Sequence, residues 1–157
     1  MNNHGNIDLS NEKALIIGAL ANDFVVSRLI NGALATFDAA KIPKQQQTVI
    51  RVPGALEIPL ALKKAAAHFD IFVVLGAVIK GQTDHYDHVS RISFDGVLQV
   101  ALEHSLALGN GIMTVANMEL ALARADGPNG NLGKDAALAA LSLRQLSFNQ
   151  DSSKTWL

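Results

Sequence analysis

The sequence predicts an α/β fold in which one parallel sheet is covered by helices on both faces. First, short apolar runs of strand length alternate along the chain with segments whose apolar residues follow helical spacing. Second, Ile71 to Ile79 carries no polar side chain at all, as a strand covered on both faces requires. Third, turn residues follow the strand-like runs, Pro53-Gly54 after one and Lys80-Gly81 after another. With 157 residues the chain is long enough for one core and short for two.

Residues 1–12 are polar and read as an N-terminal arm, ordered only where something docks on it. Lys13 to Gly18 reads as a buried strand. Asn22-Asp23 offers a cap for a helix from Phe24 to Lys41, where Ile30, Leu34 and Phe37 recur at i, i+4, i+7. Pro43 ends that unit, and Gln47 to Val52 is a second strand. Glu57 to His68 reads as a helix with Pro59 in its first turn, where a missing N–H costs little. Ile71 to Ile79 is the central strand. Asp84 to Leu108 is predicted as one long helix ended by Gly109, and Gly111 to Val115 as the fourth strand. Asn117 caps a helix running to Ala125, and Asp126 to Gly133 is a turn-rich loop. Lys134 to Phe148 is a last helix, which gives a single domain over 13–148 and a tail over 149–157.

Hydrophobic residues make up 49% of the chain and charged residues 17%, and mean hydropathy is positive. That is more apolar surface than a small monomer should show, and self-association would bury it. A net charge of −1 gives no basic field for nucleic acid or an acidic membrane. With no cysteine, disulfides and thiolate chemistry are excluded. No apolar run approaches the ~20 residues of a membrane span, and residues 1–12 do not form a secretory signal. A cytoplasmic protein is expected.

Three segments carry candidate chemistry. In Gly76-Ala-Val-Ile-Lys-Gly-Gln-Thr-Asp-His85-Tyr-Asp-His88 a buried strand feeds a helix through a short polar loop. Gly81 permits close backbone approach to a ligand, and the helix start favours an anion. His85 has a reference pKa of ~6.5, suited to proton transfer near neutral pH. Residue types alone do not separate this from an ordinary surface loop. His88 and His104 read as helix-face residues, and His4 and His68 as solvated. His85 and His88 stand at i, i+3 with no third ligand, so no metal site is expected. In Val52-Pro-Gly-Ala-Leu-Glu-Ile-Pro59 the backbone could read a planar polar ring and Glu57 could accept hydroxyl hydrogen bonds, but taken alone the segment is better read as simple turn chemistry. Arg124 precedes a glycine-rich loop; its planar fork suits phosphate, but taken alone it reads more readily as a solvated charge near a helix end. Gly127 to Gly133 lacks the G-K-[ST] ending of a phosphate-binding Walker loop.

Taken together and in order, these segments, with Gly111-Ile-Met-Thr, Asn117-Met-Glu, and Arg124 followed by Gly130-Asn-Leu-Gly-Lys-Asp-Ala-Ala137, resemble lumazine synthase over roughly residues 13–148. The resemblance implies a flavodoxin-like three-layer sandwich with four parallel strands. It implies condensation of 5-amino-6-ribitylaminouracil with 3,4-dihydroxy-2-butanone 4-phosphate to 6,7-dimethyl-8-ribityllumazine, in riboflavin biosynthesis, with no metal or organic cofactor. It also implies a homo-oligomer, either a pentamer or an assembly of pentamers, with each active site between neighbouring subunits.

Carried over by position, the resemblance makes His85 the proton-transfer residue and Arg124, from a neighbouring subunit, the counter-charge of the phosphate. Gln82 and Thr83, beside Lys80, would form the phosphate loop. Ala55, Leu56 and Glu57 would meet the pyrimidine and ribityl chain, and Ala77, Val78 and Ile79 would line the ring. Ala21, Asn22 and Asn110 complete the expected substrate contacts.

Four positions depart from the family pattern. Ala21 stands where an aromatic residue usually stacks on the pyrimidine, and Leu20 where an arginine precedes it. Leu132 aligns with a lysine and Asn110 with an aromatic contributed across the interface. These leave an alternative: a low-activity or non-enzymatic relative that acts as an assembly scaffold or as a flavin- or lumazine-binding protein. His85, Thr83 and Arg124 favour the enzyme, because a scaffold needs none of them. A flavodoxin-like electron carrier is the poorer reading, since Ala19-Leu-Ala-Asn22 lacks a Ser/Thr-rich phosphate loop. The short loop Gly127 to Gly133 resembles that of capsid-forming members, from which Pro128 departs.

Overall fold

The computed structural model describes residues 8–82, 85–127 and 130–146. Its elements run β1 (Ala14–Ala19), α1 (Asp23–Ala39), β2 (Gln47–Val52), α2 (Ile58–Ala65), β3 (Ile71–Ile79), α3 (Tyr86–His104), β4 (Ala107–Val115), α4 (Met118–Asp126) and α5 (Leu132–Gln145), with short 3₁₀ turns at Lys44–Gln46 and Ala55–Glu57. The four strands form one sheet in the order β2-β1-β3-β4, and every neighbouring pair is parallel.

Alternation along the strands sends side chains to two separate cores. Ile16, Val73, Leu75 and Met113 meet Val25, Leu29, Phe37, Ala121, Ala137 and Ala140, so α1, α4 and α5 cover one face. Leu15, Ile17, Phe72, Val74 and Ile112 meet Ile58, Leu62, Val97 and Val100, so α2 and α3 cover the other. All nine residues of β3 are buried between these layers, which accounts for its unbroken apolar sequence.

The largest departure from expectation is at the end of α3. The helix stops at His104, not Leu108, and Ser105 turns the chain with φ 53°, its C-terminal turn closed by Leu106 N–H donating to Ala101 O at 2.9 Å. β4 then begins at Ala107, four residues earlier than Gly111. Gly109 is therefore not a helix stop but a strand residue, in register with Val73. A β-carbon on it would stand 1.7 Å from the carbonyl oxygen of Ala136, so its role is to let α5 lie close on β4. Leu106 and Leu108 pack on the α2/α3 core in strand alternation; an Ala/Leu-rich stretch fits both periods, and packing decided between them.

Smaller shifts occur elsewhere. α2 begins at Ile58 after the 3₁₀ turn and ends at Ala65. α5 begins at Leu132, because Asn131 Oδ1 accepts from Lys134 N–H at 3.0 Å and caps it there, and it ends at Gln145. Phe148 lies outside the described residues. Part of the expected arm is docked: Leu9 is buried, and Glu12 accepts two hydrogen bonds from Arg144 near the end of α5. That carboxylate raises the Arg144 pKa above its usual value, chiefly through the hydrogen bond.

Candidate active site

In a parallel sheet the strand order reverses at one point, and the loops there separate to opposite faces. Here that point lies between β1 and β3. The loop after β1 leads into α1 on one face, and the loops after β2 and β3 lead into α2 and α3 on the other. β1 also ends early. It pairs with β3 only as far as Gly18 beside Leu75, whereas β3 and β4 stay paired to Ile79 beside Val115. Past Leu75, then, β3 has a partner on one side only.

A cleft of about 310 Å³ occupies the space so left. Ala21 and Asn22 come from the loop after β1, Gly54, Ala55, Leu56 and Glu57 from the loop after β2, and Ala77, Val78, Ile79 and Gln82 from β3 and its loop. Val89, one turn into α3, closes it. The walls are mostly apolar, with Asn22, Glu57 and Gln82 as the polar side chains, the usual make-up of a small-molecule site. Nine of the residues singled out in the sequence meet here: Ala21, Asn22, Ala55, Leu56, Glu57, Ala77, Val78, Ile79 and Gln82. Gly54 and Val89 were not singled out, although Gly54 lies inside the Val52 to Pro59 motif and Val89 directly follows His88. Val89 was legible only as the helical neighbour of His85, whose carbonyl accepts its N–H at 2.9 Å.

The loop after β1 is stitched to both neighbours. Leu20 N–H donates to Val52 O at 2.7 Å and Ala21 N–H to Pro53 O at 3.0 Å, which extends the β1–β2 pairing into the loops. Asn22 adopts the left-handed conformation with φ 57°. Its side chain does not cap α1 as expected. It donates from Nδ2 to the Ala77 carbonyl at 2.8 Å, while its own carbonyl accepts from Val25 and Val26. Arg51 binds the carbonyls of Gly18 and Ala19 and pairs with Asp23. The hydrogen bond from Arg51, followed by one from Ser27, holds the Asp23 carboxyl below its ordinary pKa.

The remaining predicted residues lie around or away from the cleft. His85 sits exposed at the start of α3, its ring centroid 6.2 Å from that of His88. Lys80 is exposed, and its N–H donates to Val115 O at 2.9 Å. Thr83 lies outside the described residues. Arg124 is exposed in the last turn of α4, and Asn110 is exposed on β4, where its Oδ1 accepts from Ile112 N–H at 3.0 Å. Neither lines the cleft of its own chain. Asn110 instead borders a larger cavity of about 770 Å³, shared with Phe69, Asp70, Leu106 and Ala107 at the opposite ends of the strands. That cavity is more voluminous and has Asp70, His104 and Arg144 among its lining residues, but it lies at the other end of the strands from the loops where the strand order reverses. Leu132, expected in the last loop, packs against the core shared with α1. Among the described residues there is no cluster of three or more His, Cys, Asp or Glu able to hold a metal, and no helix is long and apolar enough to cross a membrane.

Comparison with known proteins converges on the same segments. The model of the family described as 6,7-dimethyl-8-ribityllumazine synthase matches residues 11–147. A 6,7-dimethyl-8-ribityllumazine synthase from Desulfovibrio desulfuricans is 39% identical over 139 residues, covering 87% of this chain and 89% of its own. Its namesakes from Nitratidesulfovibrio vulgaris and Lawsonia intracellularis are 40% and 39% identical over the same length, covering 89% and 88% of their own chains. With that match running from the docked end of the arm to beyond the end of α5, the chain belongs to the 6,7-dimethyl-8-ribityllumazine synthase family.

Proposed function

We propose that the cleft at the reversal of strand order is where this transferase joins 5-amino-6-ribitylaminouracil to 3,4-dihydroxy-2-butanone 4-phosphate, forming 6,7-dimethyl-8-ribityllumazine and releasing phosphate and water in the penultimate step of riboflavin biosynthesis. The observation that carries the assignment of the site is the convergence of nine predicted contact residues from three loops on one cleft. Ala77, Val78 and Ile79 line the ring, and Leu56 and Glu57 meet the pyrimidine and its ribityl chain. Gln82 and Lys80 serve the phosphate, with Thr83 assigned to it by its place in the motif, and helix-start N–H groups suit an anion there. His85, beside them, moves protons as the Schiff base forms, phosphate leaves and the second ring closes. Holding the two reactants together supplies several kcal/mol of the barrier, about 7–11 in well-oriented cases.

The same reading makes the protein a cytoplasmic pentamer, or an assembly of pentamers. Arg124 and Asn110 stand away from their own chain's cleft, as residues given to a neighbour's site would. Ile92, Leu98 and Leu102 on α3 are 56%, 58% and 72% exposed, an apolar face with no cover in the single chain.

Turnover of the two substrates tests the reading. His85→Ala should lower kcat by about 10²–10⁴-fold, the usual worth of a general acid/base. Arg124→Ala should chiefly raise KM for the butanone phosphate. Absence of product from the parent protein would overturn the enzymatic reading, and a monomer in light scattering would overturn the shared site.

A further inference from the structure

β3 loses its partner on the β1 side after Leu75, yet its next residues line the cleft. A strand edge left open leaves backbone groups to be satisfied and a shape free to drift. At Ala77 the acceptor is not left open: Asn22 Nδ2 donates to it at 2.8 Å. The contact spans 55 residues of sequence and joins the wall after β1 to the wall formed by β3. An amide can meet a carbonyl only through its nitrogen, so the orientation of this side chain is fixed by its partner. The left-handed backbone at Asn22, φ 57°, is what turns the side chain away from the α1 cap. Asparagine is among the few residues that tolerate that conformation while carrying a donor.

From this we infer that Asn22 is a positioning residue, a clamp that takes the place of the missing β1 partner and sets the separation of the two walls that hold the pyrimidine. The inference rests on the reading of the cleft as the pyrimidine site. Asn22 acts through Ala77 and the loop carrying Ala21, and its Nδ2 is committed to the protein rather than to substrate.

Two-substrate kinetics on Asn22→Gly, Asn22→Asp and Glu57→Ala test it. Glycine keeps the left-handed backbone and removes the amide; aspartate also tolerates that backbone and replaces the donor with an acceptor. Both should raise KM for the pyrimidine roughly two- to tenfold, the worth of one hydrogen bond. KM for the butanone phosphate and kcat at saturation should stay as in the parent. A role in folding alone would instead lower the active fraction, reducing kcat with both KM values unchanged, and that result would overturn the inference. If Glu57→Ala raises KM for the pyrimidine while Asn22→Gly leaves it unchanged, the cleft reading stands and the clamp is wrong. If both variants leave it unchanged, the cleft reading fails and the clamp fails with it.

Discussion

The backbone of Gly109 passes so close to Ala136 that a β-carbon would lie 1.7 Å from that residue's carbonyl oxygen. The obstacle is helix backbone, which cannot rotate away as a side chain can. Gly109→Ala must therefore push α5 off β4, at a cost above the ~1–3 kcal/mol typical of overpacking. Gly81→Ala is the contrast: its φ of 89° is unfavourable for alanine, but among the described residues, its two chain neighbours apart, no atom lies within 4 Å of the added carbon. Urea unfolding should show a large fall in midpoint for the first variant and a smaller one for the second.

The cleft wall at Ala21 lacks a stacking ring. Ala21→Trp should tighten pyrimidine binding by about 1–3 kcal/mol, the range measured for aromatic stacking on bases. Fluorescence or calorimetric titration reads this directly. Unchanged affinity would mean that the ligand does not lie over residue 21.

Asp23 gives a pH dependence whose sign is fixed. Its folded-state pKa is lowered, first by the hydrogen bond from Arg51 and then by that from Ser27. The contribution to stability is thus present above the unfolded-state value of ~3.9 and is lost as pH falls through the lower folded-state value. Asp23→Asn should unfold at lower urea than the parent at neutral pH, by a small margin because the group is exposed. The margin should close as the pH is taken below about 4.

Leu102 is 72% exposed on α3. On a monomer surface Leu102→Glu would change stability by no more than about 0.5 kcal/mol. In a pentamer it places a charge in an apolar contact, so sedimentation velocity should show smaller species. Activity should fall with the assembly, because Arg124 would then have no neighbouring cleft to serve.

Much of this was legible in the sequence wherever one chain's local chemistry decides the outcome. β2 and β3 occupy the predicted residues, since Pro53-Gly54 and Lys80-Gly81 punctuate them sharply. The residues that line the cleft were legible through the resemblance, which picks out Ala77, Val78 and Ile79 at the end of β3 and the others in loops that follow strands. What escaped depended on partners distant in sequence. Gly109 reads as a helix stop until α5 is laid over it. Asn22 reads as a cap until the Ala77 carbonyl draws its side-chain amide away from α1. Leu132 reads as a loop residue until Asn131 starts the helix and turns it inward. Arg124 and Asn110 have no place in the single chain's cleft, because the reading that uses them needs a second subunit.

Ala77, Val78 and Ile79 belong at once to the ladder with β4 and to the wall of the cleft. Retargeting the protein toward a differently shaped heterocycle is therefore an unequal task across the cleft. On the proposed assignment of the cleft, substitutions at those three positions are read twice, once by the fold and once by the ligand, and few will satisfy both. Ala21 and Leu56 are exposed and outside the strands, and the bond from Ala21 to Pro53 uses backbone N–H, which a new side chain leaves in place. A designer, or natural drift, has its freedom at that rim, and Ala21, with its small side chain, is where such freedom should first be spent.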